Sequence, residues 1–127
     1  MKEQKFYICE HCGNIVAKVH DAGVPVFCCG EKMKELVPGA VEASLEKHVP
    51  VVHVEGNAVK VEIGSVAHPM VEEHYIPWLY LQTNVGGQQK NLLPGEAPVV
   101  EFALAEGEKP VAVYAYCNIH GLWKAEI

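Results

Sequence analysis

From about Val51 onward the chain alternates apolar and polar residues with period two, in repeated short runs. Val59, Val61 and Ile63 form one run; Trp78 and Tyr80, then Val100, Phe102 and Leu104, then Val111 and Val113 form others. Side chains two apart lie on one face of an extended chain, so each run predicts a half-buried β-strand. The pieces EGN, NVGGQQKN, LPGEAP and AEGEKP separate the runs, and their Gly, Asn and Pro content predicts turns. No long segment follows a period of 3.6, and GAVEASLEKH supports a turn or two of helix at most. Short strands with frequent turns over about 90 residues predict an antiparallel β-sandwich.

The pattern before Pro38 is different. Ile15, Ala17 and Val19 alternate, but the segment holds too few apolar side chains for a core of its own. A unit of under ~40 residues ordinarily needs a metal, disulfides or a partner subunit to stay folded. Pro38-Gly39 marks its end. The expected organisation is a small metal-knuckle domain over residues 1–37 and a sandwich domain over 38–127, a mainly β chain.

Charge and composition narrow the function classes. The chain has 127 residues, half of them apolar, and a net charge of −6, which argues against a general nucleic-acid binder. The opening MKEQKFYICEHCG lacks the apolar run of an export signal, and no stretch approaches the ~20 apolar residues of a membrane span. The expected location is the cytoplasm, where clustered cysteines hold metal more often than they pair.

Cys9-x-x-Cys12 is followed, after fifteen intervening residues, by Cys28-Cys29. Four thiolates at ~2.3 Å suit a tetrahedral soft-ligand site for zinc or iron. A disulfide between neighbours Cys28 and Cys29 would be strained. His11 and His20 lie close by, but four thiolates already close such a shell, so both are expected to face solvent.

Cys117 is left over, and His120 follows it at Cys-x-x-His spacing. Of seven histidines, His48, His68, His74 and His120 stand near proline, glycine or charged residues at expected strand edges, whereas His53 lies within an alternating strand and reads as an ordinary strand residue. Neutral imidazoles with one thiolate make a strong transition-metal site. Two site types fit. A blue-copper centre needs a weak axial methionine, but none follows His120, and four candidate histidines are too many. The other type is iron held by four imidazoles and an axial thiolate with one position open. The residues by themselves leave three functions: an enzyme, an electron carrier with iron or copper, or a zinc-stabilised binding module.

EKHVP, HPMVEEHYIPWLYL and YCNIHGLWK, in that order and behind the Cys-x-x-Cys…Cys-Cys pattern, resemble the desulfoferrodoxin family of two-iron superoxide reductases over essentially the whole chain. The resemblance implies an N-terminal rubredoxin- or desulforedoxin-like domain with one iron on Cys9, Cys12, Cys28 and Cys29. It implies an immunoglobulin-like sandwich with a second, catalytic iron on His48, His68, His74 and His120 in the equatorial plane and Cys117 on the axis. The activity it implies is one-electron reduction of superoxide to hydrogen peroxide without dioxygen release. Lys47 is then expected to draw in the anion, and Glu46 to supply a carboxylate to the open position once iron is oxidised. A rubredoxin-type protein is the expected electron donor, and the smallness of the first domain predicts a homodimer.

Overall fold

A computed structural model of the chain describes residues 2–127. These divide into two compact units, one ending at Val37 and the other spanning Pro38–Ile127. Among the described residues no helix is long and apolar enough to cross a membrane.

In the first unit β1 (Phe6–Ile8) is the centre of a small antiparallel sheet, between β2 (Ile15–Ala17) and β5 (Lys34–Leu36). A separate hairpin pairs β3 (Phe27–Cys28) with β4 (Glu31–Lys32). Its two loop residues are Cys29 (φ 52°) and Gly30 (φ 77°), and Cys29 is the one non-glycine residue with positive φ among the described residues. Positive φ at both central positions is what a two-residue hairpin turn of the primed type demands, because its twist then matches that of the strands. Phe6, Cys9 and Met33 are the buried apolar side chains of this unit, whereas Val19, Val24 and Phe27 are exposed.

The second unit begins with α1 (Leu45–His48), a four-residue helix. The strands β6 (Pro50–Glu55), β7 (Ala58–Ile63), β8 (Trp78–Thr83), β9 (Gly87–Asn91), β10 (Val99–Ala103), β11 (Pro110–Cys117) and β12 (Gly121–Glu126) follow. They form a three-stranded sheet, β10-β7-β6, and a four-stranded sheet, β12-β11-β8-β9, with every pairing antiparallel. Four and three strands are the complement of an immunoglobulin-like sandwich.

The alternation seen in the sequence is the inward face of these strands. Val59, Val61 and Ile63 of β7 and Val100 and Phe102 of β10 pack against Leu79 and Leu81 of β8 and Val113 and Ala115 of β11. Cys117 continues that inward face at the end of β11 and is fully buried. The side chains of Gln88 and Lys90 on β9 reach across to donate to the carbonyls of Ala103 (2.8 Å) and Glu101 (2.6 Å) on β10. They satisfy acceptors that an edge strand would otherwise leave open.

Register brings the metal-ligand candidates together. Pro50 pairs with Ile63 and Tyr116 with Trp78, so the start of β6 and end of β7, and the start of β8 and end of β11, lie side by side. The segments leading from those ends carry His48, His68 and His74, and Cys117 and His120. His48 differs from the strand-edge placement expected of it: it closes α1, and its ring is buried. His53 faces out from β6, and His11 and His20 are exposed, as expected.

Candidate metal centres

The four cysteines of the first unit converge, with all four sulfur atoms within 4.8 Å of one another. Cys9 and Cys12 flank a turn closed by the Gly13 N–H on the Cys9 carbonyl (2.8 Å), while Cys28 and Cys29 come from the β3–β4 turn. The left-handed backbone at Cys29 explains how consecutive residues serve one site, since it redirects the second side chain relative to an extended strand. The sulfurs of Cys12 and Cys28 lie 3.6 Å apart and those of Cys28 and Cys29 4.0 Å apart. Two thiolates each ~2.3 Å from a tetrahedral ion stand ~3.8 Å apart, so the spacing fits a single metal. Backbone N–H groups, that of Cys12 first, hold the Cys9 thiol down to about 6. The neighbouring thiols, Cys12 first, push Cys29 up to about 12. Four thiolates side by side therefore call for a cation, and the donor set suits zinc or iron. The Asn14 side chain donates to Cys28 Sγ (3.7 Å), and its backbone N–H donates to Cys12 Sγ (3.5 Å). His11 instead pairs with Glu31, at 3.0 Å.

The second cluster is a square of imidazoles. Going round it, the ring centroids of His48 and His68, His68 and His74, His74 and His120, and His120 and His48 are 4.7, 4.7, 5.1 and 4.9 Å apart, with planes inclined by 77°, 81°, 75° and 88°. Across the square, His48 and His74 are 6.3 Å apart and inclined by 28°. One ligand atom from each of His48, His74, Cys117 and His120 lies within 4.8 Å of all the others. His68 stands outside that tighter set while its ring completes the square.

Carbonyl groups select the tautomers. His48 Nδ1 donates to the Ser44 carbonyl and His68 Nδ1 to the Pro69 carbonyl, each at 2.7 Å. A carbonyl only accepts, so the proton sits on Nδ1 and Nε2 presents a lone pair. The Nε2 atoms of His68 and His74 are buried with no hydrogen-bond partner. A buried polar atom left unpaired is costly and needs a reason, and a coordinated cation is one. His48 Nε2 lies 3.1 Å from His120 Nδ1. Two nitrogens at about 2.1 Å from one ion and at right angles to each other stand ~3 Å apart, so this separation fits shared coordination. Cys117 Sγ is 3.8 Å from His120 Nδ1 and accepts the His120 backbone N–H at 3.4 Å.

Burial favours the neutral form of three of these rings. Burial lowers His48, His68 and His74, ahead of repulsion among the rings, and His68 falls to about 4. The Lys47 ammonium adds to the depression at His48 and His74, so its charge is felt at the cluster. Glu46 and Lys47 are exposed on α1 immediately before His48. The Glu46 carbonyl takes the Val66 N–H (2.9 Å) and the Ser65 hydroxyl (3.3 Å), tying the helix to the segment that leads to His68.

Three supports lie outside the set expected from sequence. Trp123 stacks on His48 at 5.0 Å and donates Nε1–H to the His120 carbonyl at 3.2 Å. Gly64 (φ 81°) sits so close to α1 that a Cβ there would come within 2.6 Å of the Glu46 carbonyl oxygen. Asn118 bridges to the segment around His74. Asn118 and Trp123 both fall inside CNIHGLW, so their place in the motif was a usable signal, whereas Gly64 carries none that a single sequence exposes.

A family model described as Desulfoferrodoxin matches residues 40–126, and one described as Desulfoferrodoxin, N-terminal domain, matches residues 1–36. The desulfoferrodoxin of Nitratidesulfovibrio vulgaris is 47% identical over 124 residues, covering 98% of this chain and 97% of its own. Among solved structures, the superoxide reductase of Treponema pallidum aligns with a TM-score of 0.83 at 41% identity, covering 98% of this chain and all of its own. A one-iron superoxide reductase from Giardia intestinalis aligns over 65% of this chain and 97% of its own, with a TM-score of 0.55 at 34% identity.

Proposed function

The chain belongs to the desulfoferrodoxin family, and from that premise we infer that it is a superoxide reductase whose catalytic iron is held by His48, His68, His74, His120 and Cys117. The reaction joins superoxide, one electron and two protons into hydrogen peroxide and releases no dioxygen. The observation that carries this reading is the square of four imidazoles, two with buried and unpartnered Nε2 atoms, beside a fully buried thiol. When bound, ferrous iron supplies the electron and a positive point of attachment for the anion.

The chain's own residues do the rest. The Ser44 and Pro69 carbonyls hold two rings with Nε2 inward, so neutral nitrogens face the metal without rearrangement. Cys117 would hold the iron through its sulfur, and a thiolate ligand would donate electron density to the metal. Lys47 attracts the substrate anion locally, against the repulsion of a chain with net charge −6, because fields within a Debye length of ~8–10 Å dominate the final approach. Glu46, exposed on the same short helix, would offer a hard carboxylate oxygen to ferric iron. The Cys9, Cys12, Cys28 and Cys29 site would hold the first of two irons per chain; four thiolates fill a tetrahedral shell, which suits structure or electron transfer.

Electrons come from a rubredoxin-type donor, and the protein works as a cytoplasmic homodimer. Its five free thiols suit a reducing compartment, and the exposed Val19, Val24 and Phe27 on a unit with a small core suit a second subunit.

Metal analysis with a visible spectrum and a superoxide assay tests the reading. Two irons per chain, a thiolate-to-iron band lost on Cys117→Ser, and superoxide consumption without dioxygen evolution are expected. Zinc in both sites of the active protein would overturn it.

A further inference from the structure

We propose that Asn118 is the positioning residue that ties His74 to the Cys117–His120 turn and thereby sets how tightly the second metal is retained. The inference rests on reading that cluster as an iron centre.

The four imidazoles are not held alike. His48 and His68 are each fixed through Nδ1 by a carbonyl at 2.7 Å, and His48 also lies under Trp123. His120 is fixed at both ends of its peptide, its N–H on Cys117 Sγ (3.4 Å) and its carbonyl under Trp123 Nε1 (3.2 Å). His74 has no such restraint: among the described residues neither ring nitrogen forms a hydrogen bond. The position of its ring therefore follows from its backbone.

That backbone is gripped on both sides of His74 by one residue. Asn118 Nδ2 donates to the Glu73 carbonyl (3.0 Å), Asn118 Oδ1 accepts the Tyr75 N–H (2.9 Å), and the Asn118 N–H donates to the Tyr75 carbonyl (3.2 Å). His74 itself exchanges backbone hydrogen bonds with Val71 at 3.1 Å in both directions, a bridge local to its own loop. Asn118 is thus the link from this loop to the hairpin that presents Cys117 and His120. The chemistry is specific to asparagine. A donor and an acceptor must sit on one short side chain; aspartate lacks the donor, glutamine is a methylene longer, and serine has a single polar atom.

The full-length, iron-loaded chain provides the test. Excess ferrous chelator is added, and loss of the second iron is followed through its thiolate-to-iron band, with the four-cysteine centre as internal reference. Asn118→Ala and Asn118→Asp are expected to release the second iron about 10–100-fold faster, in line with the loss of metal affinity that follows removal of a ligand-orienting partner, and to leave the four-cysteine centre unchanged. The difference in melting temperature between loaded and metal-free protein should shrink in both variants, whereas a merely structural role would lower both melts together. If Asn118→Ala does not fold, Asn118→Asp, which keeps the size and the acceptor for Tyr75, is decisive alone. Release within twofold of the unaltered chain would overturn the proposal. Absence of iron from this cluster in the unaltered chain would instead refute the reading of the site and take the proposal with it.

Discussion

His68 shows how the surroundings of one residue suit it to a metal. Its ring is buried, its Nδ1 proton is committed to the Pro69 carbonyl, and its Nε2 lone pair has no partner. Burial holds its pKa at about 4, against 6.5 for a free histidine. The unfolded chain therefore binds the extra proton across that interval while the folded chain does not, and stability must fall as pH drops from about 6.5 to about 4. Below that window both states are protonated and the loss levels off. Urea melts of the metal-free chain should show this slope, and His68→Leu should flatten it. His48 and His74 are shifted in the same direction and leave a remainder. Lys47 belongs to the same scale. Replacing it with alanine removes one positive charge felt at the cluster, so the bimolecular rate with superoxide should fall about 3–10-fold and lose part of its salt dependence. The iron spectrum should change little, because Lys47 supplies no ligand atom. Stopped-flow rates across a salt series check both statements.

Short elements, more than long ones, decide where the ligands stand. The β3–β4 hairpin holds its two loop residues at positive φ, and that conformation lets Cys28 and Cys29 converge on one site. Gly30 is the residue there for which positive φ is free of strain. Gly30→Ala should destabilise the first unit by about 1–2 kcal/mol and loosen its metal, measured by denaturant melts and chelator release. Gly64 has the corresponding role in the second unit. Its φ is 81°, and a Cβ would meet the backbone of Glu46, Lys47 and Val66 at 2.6–2.7 Å. Gly64→Ala must therefore push α1 away from β7, displacing His48, Glu46 and Lys47 together. The variant should lose second-site iron and superoxide turnover while the sandwich stays folded, which metal analysis and circular dichroism can separate.

At the scale of the whole molecule, each centre is built from the residues of a single unit, the four cysteines from the first and the His-Cys cluster from Pro38–Ile127. Cys28→Ser should accordingly disturb the first metal and leave superoxide reduction by the second intact when electrons are supplied by a small reductant. Loss of turnover with the second iron still loaded would place the first centre in the electron path. The exposed apolar side chains of the first unit carry the homodimer proposal. Phe27→Asp should shift the sedimenting species toward monomer without altering the spectrum of the catalytic centre.

What the sequence determined by itself were the properties that are local or periodic. Alternation of Val59, Val61 and Ile63, or of Val100 and Phe102, specifies which face of a strand is buried whatever its partner, and the structure buries those side chains. Cys-x-x-Cys, Cys-Cys and Cys-x-x-His declare soft and imidazole donors through spacing alone, and the motif order carries the family. The tertiary structure decided which distant segments share an edge, and hence that His48, His68, His74 and His120 form a square and not four separate surface histidines. It also decided the supports: the Ser44 and Pro69 carbonyls, the clearance at Gly64 and the reach of Asn118 to Glu73 and Tyr75. Backbone carbonyls have no sequence signature, and a close approach between residues far apart in the chain exists only once register and packing have brought them together.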